Sequence, residues 1–174
     1  MLEAAKTVLG AGGPQASLEA VARQAGVGIG TLYRHFPTRQ DLFEAVYRRE
    51  VEQLVDLADQ LLGSPDPVAA LRRWLRANVE FVATKKGMAA ALAIAAHGPT
   101  ALTTYTAERL TAAVGSLIGR AVAAGAMRDD VGSGDLLRLL VALCYGSDAP
   151  GWQETVLRLL DVFVDGLCRR RPEA

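Results

Sequence analysis

Basic side chains gather in one window near the start of the chain. From Ala20 to Gln40 the sequence has no acidic residue, while Arg23, Arg34 and Arg39 carry three positive charges and His35 lies beside them. These side chains donate hydrogen bonds to phosphate oxygens, and the arginine fork also pairs with guanine. Because the 174-residue chain is formally neutral, affinity for a polyanion must come from this local patch. The window therefore favours local nucleic-acid binding, with scattered surface arginines as the simpler interpretation.

The other reactive side chains are too sparse for a catalytic or metal site. Cys144 and Cys168 lie in apolar helical contexts, too far apart for a disulfide framework or a zinc site, and are predicted to be reduced core thiols. His35 and His97 are the only histidines and have no accompanying ligand cluster. Cys144 is the best nucleophile that an enzyme hypothesis offers, but a buried thiol is usually inert. We expect no metal, no cofactor and no enzymatic activity.

Short helices are predicted to position the basic window. A first helix is predicted over residues 2–9, and the glycine- and proline-rich residues 10–14 end it. Ser17 is a suitable N-cap for a second helix, and Gly26 suits the left-handed position that follows its end. A third helix, from Ile29 to Phe36, repeats apolar residues at intervals of three and four. Pro37 ends it, and Thr38 with its partner Asp41 forms a capping-box-like start for the next. Helix, tight glycine turn and helix is the layout of a helix-turn-helix DNA-binding motif.

The glycines at positions 26, 28 and 30 also resemble a nucleotide-binding loop. Such a loop must follow a β-strand, whereas these glycines follow an amphipathic helix. The helix-turn-helix is therefore the better interpretation. In that setting Gly28 and Gly30 remove bulk where a short helix must approach DNA.

The rest of the chain also has helical periodicity. A long helix is predicted over 38–62, with a break at 63–67 where Asp66 is the N-cap and Pro67 the first helical residue. Further helices are expected from there to about Thr84, after a break at Lys85–Lys86–Gly87 to Ala96, over 101–124, from Asp135 to Tyr145, and over 152–168. No segment alternates like a strand. The prediction is an all-α fold of about nine helices, with a helix-turn-helix domain over 1–45 and a helical domain over 46–174.

The last two predicted helices carry more apolar residues than one core-facing side requires. A pair of such helices from each of two subunits would form a four-helix interface, so a homodimer is expected. The predicted interface residues are Leu136, Leu140, Val156, Leu160, Phe163, Val164 and Leu167. The run Arg169–Arg171 that follows is interpreted as a solvated cap at a helix C-terminus.

The first quarter of the chain resembles a known family of DNA-binding proteins. The residues that carry the resemblance run from Ser17-Leu18 through Ala25-Gly26-Val27 and Gly30-Thr31-Leu32-Tyr33-Arg34-His35-Phe36-Pro37 to Leu42-Phe43. This pattern is similar to the DNA-binding domain of tetracycline-repressor-type (TetR family) bacterial regulators. Two features depart from it: Arg39 stands where lysine is usual, and Lys6 is the only basic residue before Arg23. Either low non-specific DNA affinity or a natural chain that begins further upstream is expected.

The resemblance implies roles for individual residues. It makes Ile29–His35 the recognition helix in the major groove, with Thr31 and Arg34 as candidates for contacts to bases and Tyr33, His35 and Arg39 for contacts to phosphates. Ser17 is expected to act as N-cap and phosphate donor. The DNA-binding set is therefore Ser17, Gly28, Ile29, Gly30, Thr31, Tyr33, Arg34, His35 and Arg39.

The resemblance further implies a small-molecule pocket in the C-terminal domain. The candidate lining residues are large or adaptable side chains: Trp74, Asn78, Phe81, Met88, His97, Tyr105, Met127 and Trp152. Plain core packing is the simpler explanation for any one of them.

The sequence thus predicts a ligand-responsive, dimeric transcriptional regulator, most often a repressor in such families, whose partners are a palindromic double-stranded operator and a small-molecule effector. The alternative is a helical sensor or interaction protein without DNA binding. The sequence has no signal-peptide pattern. The uncharged run Gly87–Ala107 is not a membrane-spanning segment, because His97-Gly98-Pro99 interrupts it. A cytoplasmic protein with no membrane partner is expected.

Overall fold

The fold of the described chain is all-helical, as predicted. The computed structural model describes residues 1–11, 16–92 and 101–168, and within these ranges it contains eight α-helices and no named strand. An isolated bridge joins Met127 to Cys168. The helices are α1 Leu2–Gly10, α2 Leu18–Gln24, α3 Ile29–His35, α4 Arg39–Leu61, α5 Pro67–Leu92, α6 Ala101–Ala123, α7 Ser133–Tyr145 and α8 Trp152–Leu167.

Local capping sets several helix starts where the sequence placed them. The Ser17 hydroxyl accepts the Ala20 N–H at 3.1 Å at the start of α2. Thr38 and Asp41 exchange bonds at α4: the Thr38 N–H donates to the Asp41 carboxylate at 2.9 Å and the Asp41 N–H to the Thr38 hydroxyl at 3.1 Å. The Asp66 carboxylate accepts two amide protons of the first turn of α5. Each bond satisfies an amide that a helix start leaves without a partner.

The predicted break at Lys85–Lys86–Gly87 is wrong, because α5 continues through it to Leu92. Lys85 is half-buried, with its ammonium 5.2 Å from the centre of the Tyr47 ring, and burial lowers the pKa of this ammonium. A β-carbon at Gly87 would lie 2.1 Å from the Gly10 carbonyl oxygen. Glycine is required here because α5 packs closely against α1, and not because the chain turns. The two helices expected on either side of the break are therefore a single helix. The rest of the predicted helix to Ala96 lies outside the described residues.

The described chain divides into two compact units. The first unit comprises Met1–Glu52 and Phe81–Thr106. Two ion pairs join α1 to α4 within it: Lys6 to Glu50 at 2.6 Å and Arg49 to Glu3 at 3.1 Å. The core of this unit is built from apolar side chains of α1 to α5, among them Ala5, Leu9, Val21, Leu32, Leu42, Val46, Val51 and Met88.

The second unit comprises Gln53–Glu80 and Ala107–Ala174. Trp74 is fully buried and its indole N–H donates to the Leu54 carbonyl at 2.9 Å. The Arg72 guanidinium bridges two carboxylates of α8, Asp161 at 2.7 Å and Asp165 at 2.6 Å. These polar contacts surround an apolar core that includes Leu71, Val114, Leu117, Leu136, Leu140, Leu160 and Val164.

Two smaller expectations at α7 and α8 need adjustment. Helix α7 begins at Ser133 rather than at Asp135, because the Asp135 carboxylate accepts the Gly132 N–H at 3.2 Å from the third position of the helix. Both cysteines are reduced thiols, and Cys144 is buried as predicted. Cys168 is only half-buried, just after the end of α8.

Replacing Gly87 by alanine is expected to destabilise the protein, whereas a matched change on α6 is not. The added β-carbon of Gly87→Ala meets the α1 backbone, which cannot move like a side chain, so a loss of about 1–3 kcal/mol is expected. Gly119→Ala adds its β-carbon to open space and is expected to gain up to about 1 kcal/mol from helix propensity. Urea unfolding followed by circular dichroism measures both, and equal stability of the two variants would contradict the close packing.

Candidate nucleic-acid interface

The predicted DNA-binding residues lie mostly on the outer side of α3. Of its seven residues only Leu32 is buried, at 2% exposure. Successive helical residues are rotated by about 100°, which places Ile29, Gly30, Tyr33 and Arg34 on one arc, and all four are exposed. Gly28, His35 and Arg39 are also exposed, while Ser17 and Thr31 are half-buried. The short helix thus uses one side chain for packing and presents the others to solvent.

The Arg34 side chain folds back along its own helix, but its two terminal NH₂ groups remain without an acceptor in the described chain. Its Nε–H donates to the Gly30 carbonyl at 3.4 Å, a long contact. The terminal groups supply the fork that matches the two acceptors of guanine in the major groove.

Ser17, Glu19 and Arg39 are electrostatically linked beside α3. The pKa of the Glu19 carboxyl lies below its ordinary value because the carboxylate accepts a hydrogen bond from its own backbone N–H and one from Ser17, with a favourable charge interaction from Arg39. Ser17 therefore interacts with Glu19 as well as capping α2. Arg39 is partly balanced by this carboxylate, so it is a weaker phosphate-binding candidate than its charge alone indicates.

Two known sequence families match the chain in succession. Residues 1–46 match the family described as bacterial regulatory proteins, tetR family, and residues 66–169 match the C-terminal domain of transcriptional regulators described as SbtR-like. The chain belongs to the TetR family. The resemblance seen in its first quarter is thereby confirmed and extends over most of its length. None of the curated proteins compared with it matches.

Solved structures of TetR regulators resemble the chain over nearly its whole length. A TetR transcriptional regulator of Streptomyces coelicolor is 40% identical, with 99% of this chain and 97% of that one covered and a TM-score of 0.76. A TetR transcription regulatory protein of Mycobacterium vanbaalenii is 32% identical, with 97% and 92% covered and a TM-score of 0.72. The chain is accordingly a DNA-binding transcriptional regulator and not an enzyme.

The residues predicted to line a ligand pocket are divided between the two units of this TetR chain. Trp74, Asn78, Met127 and Trp152 lie in the second unit, whereas Phe81, Met88 and Tyr105 lie in the first, and His97 is outside the described residues. Phe81 and Met88 border a cavity of about 10 Å³, large enough for about one water molecule. Tyr105 is engaged by the Glu52 carboxylate through its hydroxyl and by the Arg48 guanidinium over its ring.

Asn78 is the most informative of these candidates. It is 2% exposed, yet its amide nitrogen has no hydrogen-bond acceptor among the described residues. An unsatisfied buried amide costs about 1–3 kcal/mol, so such groups are rare in folded proteins. Asn78 is therefore a buried donor that lacks a partner within the described chain.

Most of the predicted dimer-interface residues are buried within the single chain. Leu136, Leu140, Val156, Leu160, Val164 and Leu167 are 0–6% exposed without any partner subunit, and Phe163 is half-buried. Apolar residues that remain exposed on the same two helices are Val141 at 49%, Leu159 at 43% and Val162 at 65%. The spacing of 156, 160, 164 and 167 is one helical stripe, and Leu159 with Val162 begins a second stripe that the prediction did not separate.

A groove lies beside this second apolar stripe. It encloses about 300 Å³ at the turn between α7 and α8, and its lining includes Leu143, Pro150, Trp152, Thr155 and Leu159. Trp152 thus borders a surface groove, whereas Trp74 is fully buried. Among the described residues there is no cluster of potential metal ligands, and no helix there is long and apolar enough to cross a membrane.

Replacing Asn78 by leucine is expected to stabilise the ligand-free protein. Leucine has a similar volume and removes the unsatisfied amide, so a gain of about 1 kcal/mol is expected. Thermal unfolding of the wild type and Asn78→Leu measures the difference, and Asn78→Ser is the control that instead leaves a cavity. A lower melting temperature for Asn78→Leu would show that its amide already has a structural partner.

Proposed function

We propose that the chain is a homodimeric, effector-responsive repressor that binds a palindromic operator in the cytoplasm. The observation that carries the proposal is the exposed arc of α3, which presents Arg34 and Tyr33 within a stretch of sequence, 20 to 40, that has no acidic residue. A helix fixed by one buried side chain, with the remaining residues exposed, suits insertion into a major groove.

The proposed DNA contacts divide into two kinds. Arg34 and Thr31 contact base edges, with Arg34 at a guanine, whereas Ser17, Tyr33, His35 and Arg39 contact phosphates and fix the register. Gly28, Ile29 and Gly30 complete the surface at the start of α3. In this proposal residues 1–45 form the DNA-binding domain and residues 46–174 the ligand-binding and dimerisation domain.

Dimerisation is proposed to bury the exposed apolar residues of α7 and α8. Val141, Leu159 and Val162 expose large apolar side chains in one part of the sequence, and a partner would remove them from water. A two-fold dimer places two recognition helices about 34–36 Å apart, or a multiple of that distance, and therefore reads inverted half-sites.

Effector control is proposed to act through the second unit. The unsatisfied Asn78 amide, one turn after Trp74 on α5, offers a polar contact to a small molecule that carries a hydrogen-bond acceptor. The effector shifts the dimer away from the DNA-binding conformation. It cannot shift that equilibrium by more than its difference in affinity for the two conformations.

Binding to the DNA that flanks its own gene tests this function. A labelled duplex of that DNA should form a complex in a gel-shift assay, resist competition by unrelated DNA, and weaken as salt rises because cation–phosphate contacts release counterions. A chain that forms no salt-sensitive, sequence-preferring complex with it is not an autoregulatory repressor, and would instead fit the alternative of a sensor or interaction protein.

Arg34→Ala and Tyr33→Phe should affect DNA binding differently. Loss of a bidentate guanine contact is expected to weaken the cognate duplex by about 1–3 kcal/mol and random DNA much less. Tyr33→Phe removes a phosphate donor and should weaken both duplexes similarly. Fluorescence anisotropy with matched cognate and scrambled duplexes measures the four affinities. The reverse pattern would mean that Tyr33, not Arg34, faces the bases.

Charged residues on the second apolar stripe should separate the dimer without unfolding the chain. Leu159→Lys with Val162→Lys places like charges against their symmetry copies, so a monomer with an unchanged helical spectrum is expected. Gln53→Lys with Gln60→Lys adds the same charge to exposed positions of α4 and should stay dimeric. Leu160→Lys with Val164→Lys should unfold the second unit. Light scattering and circular dichroism distinguish these outcomes, and a dimeric Leu159/Val162 variant would place the interface elsewhere.

A further inference from the structure

Gly28 is the N-cap residue of α3, but neither Gly28 nor Gly30 is required by close packing or by a left-handed backbone. A β-carbon at either position would meet no atom within 4 Å, and neither glycine is among those with positive φ. Gly30 nevertheless lies inside α3, where glycine is less favourable than alanine by about 1 kcal/mol. The missing side chains leave open space at the start of α3.

Ile29 stands between these two glycines. Its side chain is 37% exposed, and it shares the outer arc of α3 with Tyr33 at 46% and with Arg34. One exposed isoleucine is ordinary on a protein surface. Here it is the only side chain on a three-residue stretch that is otherwise cleared of bulk, so it projects alone toward whatever approaches.

The charge of the residues near Ile29 in the sequence indicates the chemistry of its partner. Arg23, Arg34 and Arg39 lie in a stretch without acidic residues, which favours a polyanion. The major-groove edges of DNA carry hydrogen-bond donors and acceptors and one apolar group, the C5-methyl of thymine. An aliphatic side chain that enters the groove has this methyl as its favourable contact.

We propose that Ile29 recognises a thymine methyl group in each operator half-site, and that Gly28 and Gly30 allow the helix backbone to come close enough for this contact. The inference rests on the proposed function, since it assigns a base preference to the same surface. Ile29 is thus a specificity-determining residue, distinct in chemistry from Arg34. Thymine and guanine are then read by adjacent parts of one helix face.

Removal of single methyl groups from the DNA tests the assignment. A duplex is first selected from a randomised library by the wild-type protein, and each thymine in it is replaced in turn by deoxyuridine, which lacks only the methyl. One thymine in each half-site should be sensitive, with a loss of about three- to fivefold in affinity per half-site. At that position 5-methylcytosine should bind more tightly than cytosine.

Protein variants connect the sensitive methyl to Ile29. Ile29→Ala should bind the thymine duplex several-fold more weakly than wild type and be indifferent to deoxyuridine at the sensitive position. Ile29→Val should retain the sensitivity, and Arg34→Ala should bind more weakly overall while retaining it. An Ile29→Ala protein that keeps the full methyl effect would overturn the proposal.

Alanine at the glycine positions supplies a second readout. Gly30→Ala should raise the melting temperature while lowering DNA affinity at least fivefold, because the same methyl group favours the helix and obstructs the groove. Unchanged affinity would remove the role assigned to the glycines. If no duplex is enriched by wild type, the proposed DNA-binding function itself fails; if duplexes are enriched but no thymine methyl matters, only the Ile29 assignment fails.

Discussion

The close contact between α1 and α5 is the constraint on which the first unit depends. At Gly87 the two backbones approach so closely that a single β-carbon would overlap the Gly10 carbonyl oxygen. The Lys6–Glu50 and Arg49–Glu3 pairs then hold α1 to α4. Because α1 packs on α2 and α2 on α3, the position of α3 depends on both sequence segments of this unit, 1–52 and 81–106. The DNA-binding motif is therefore not completed by the first 46 residues alone.

The features that follow from nearby residues could be predicted from the sequence. Ser17, the Thr38–Asp41 pair and Asp66 all cap their helices with atoms two or three positions away, so no knowledge of the rest of the fold was needed. Gly87 was misread because the reason for it is Gly10, 77 positions away in the sequence. The apolar stripes of α8 were confused for a similar reason: composition reveals that two faces are apolar, and only packing decides which of them enters the core.

Several cations of the chain are held by acceptors within their own unit. Glu50 is buried against Lys6, Arg72 is held by two carboxylates of α8, and Arg120 donates to the Leu61 and Ser64 carbonyls at the end of α4. These cations have internal acceptors, whereas the terminal groups of Arg34 have none in the described chain. A formally neutral protein can thus still present a local basic surface to a polyanion.

The single buried residue of α3 has an evolutionary consequence. Five of its seven residues are exposed and Thr31 is half-buried, so most substitutions at the exposed positions leave stability nearly unchanged. Selection on folding acts on Leu32, and selection on the target acts on the other positions. After a gene duplication, a copy of this chain can acquire a new operator by a few codon changes without first acquiring compensating mutations elsewhere. The recognition helix is the part of the molecule that can diverge most freely.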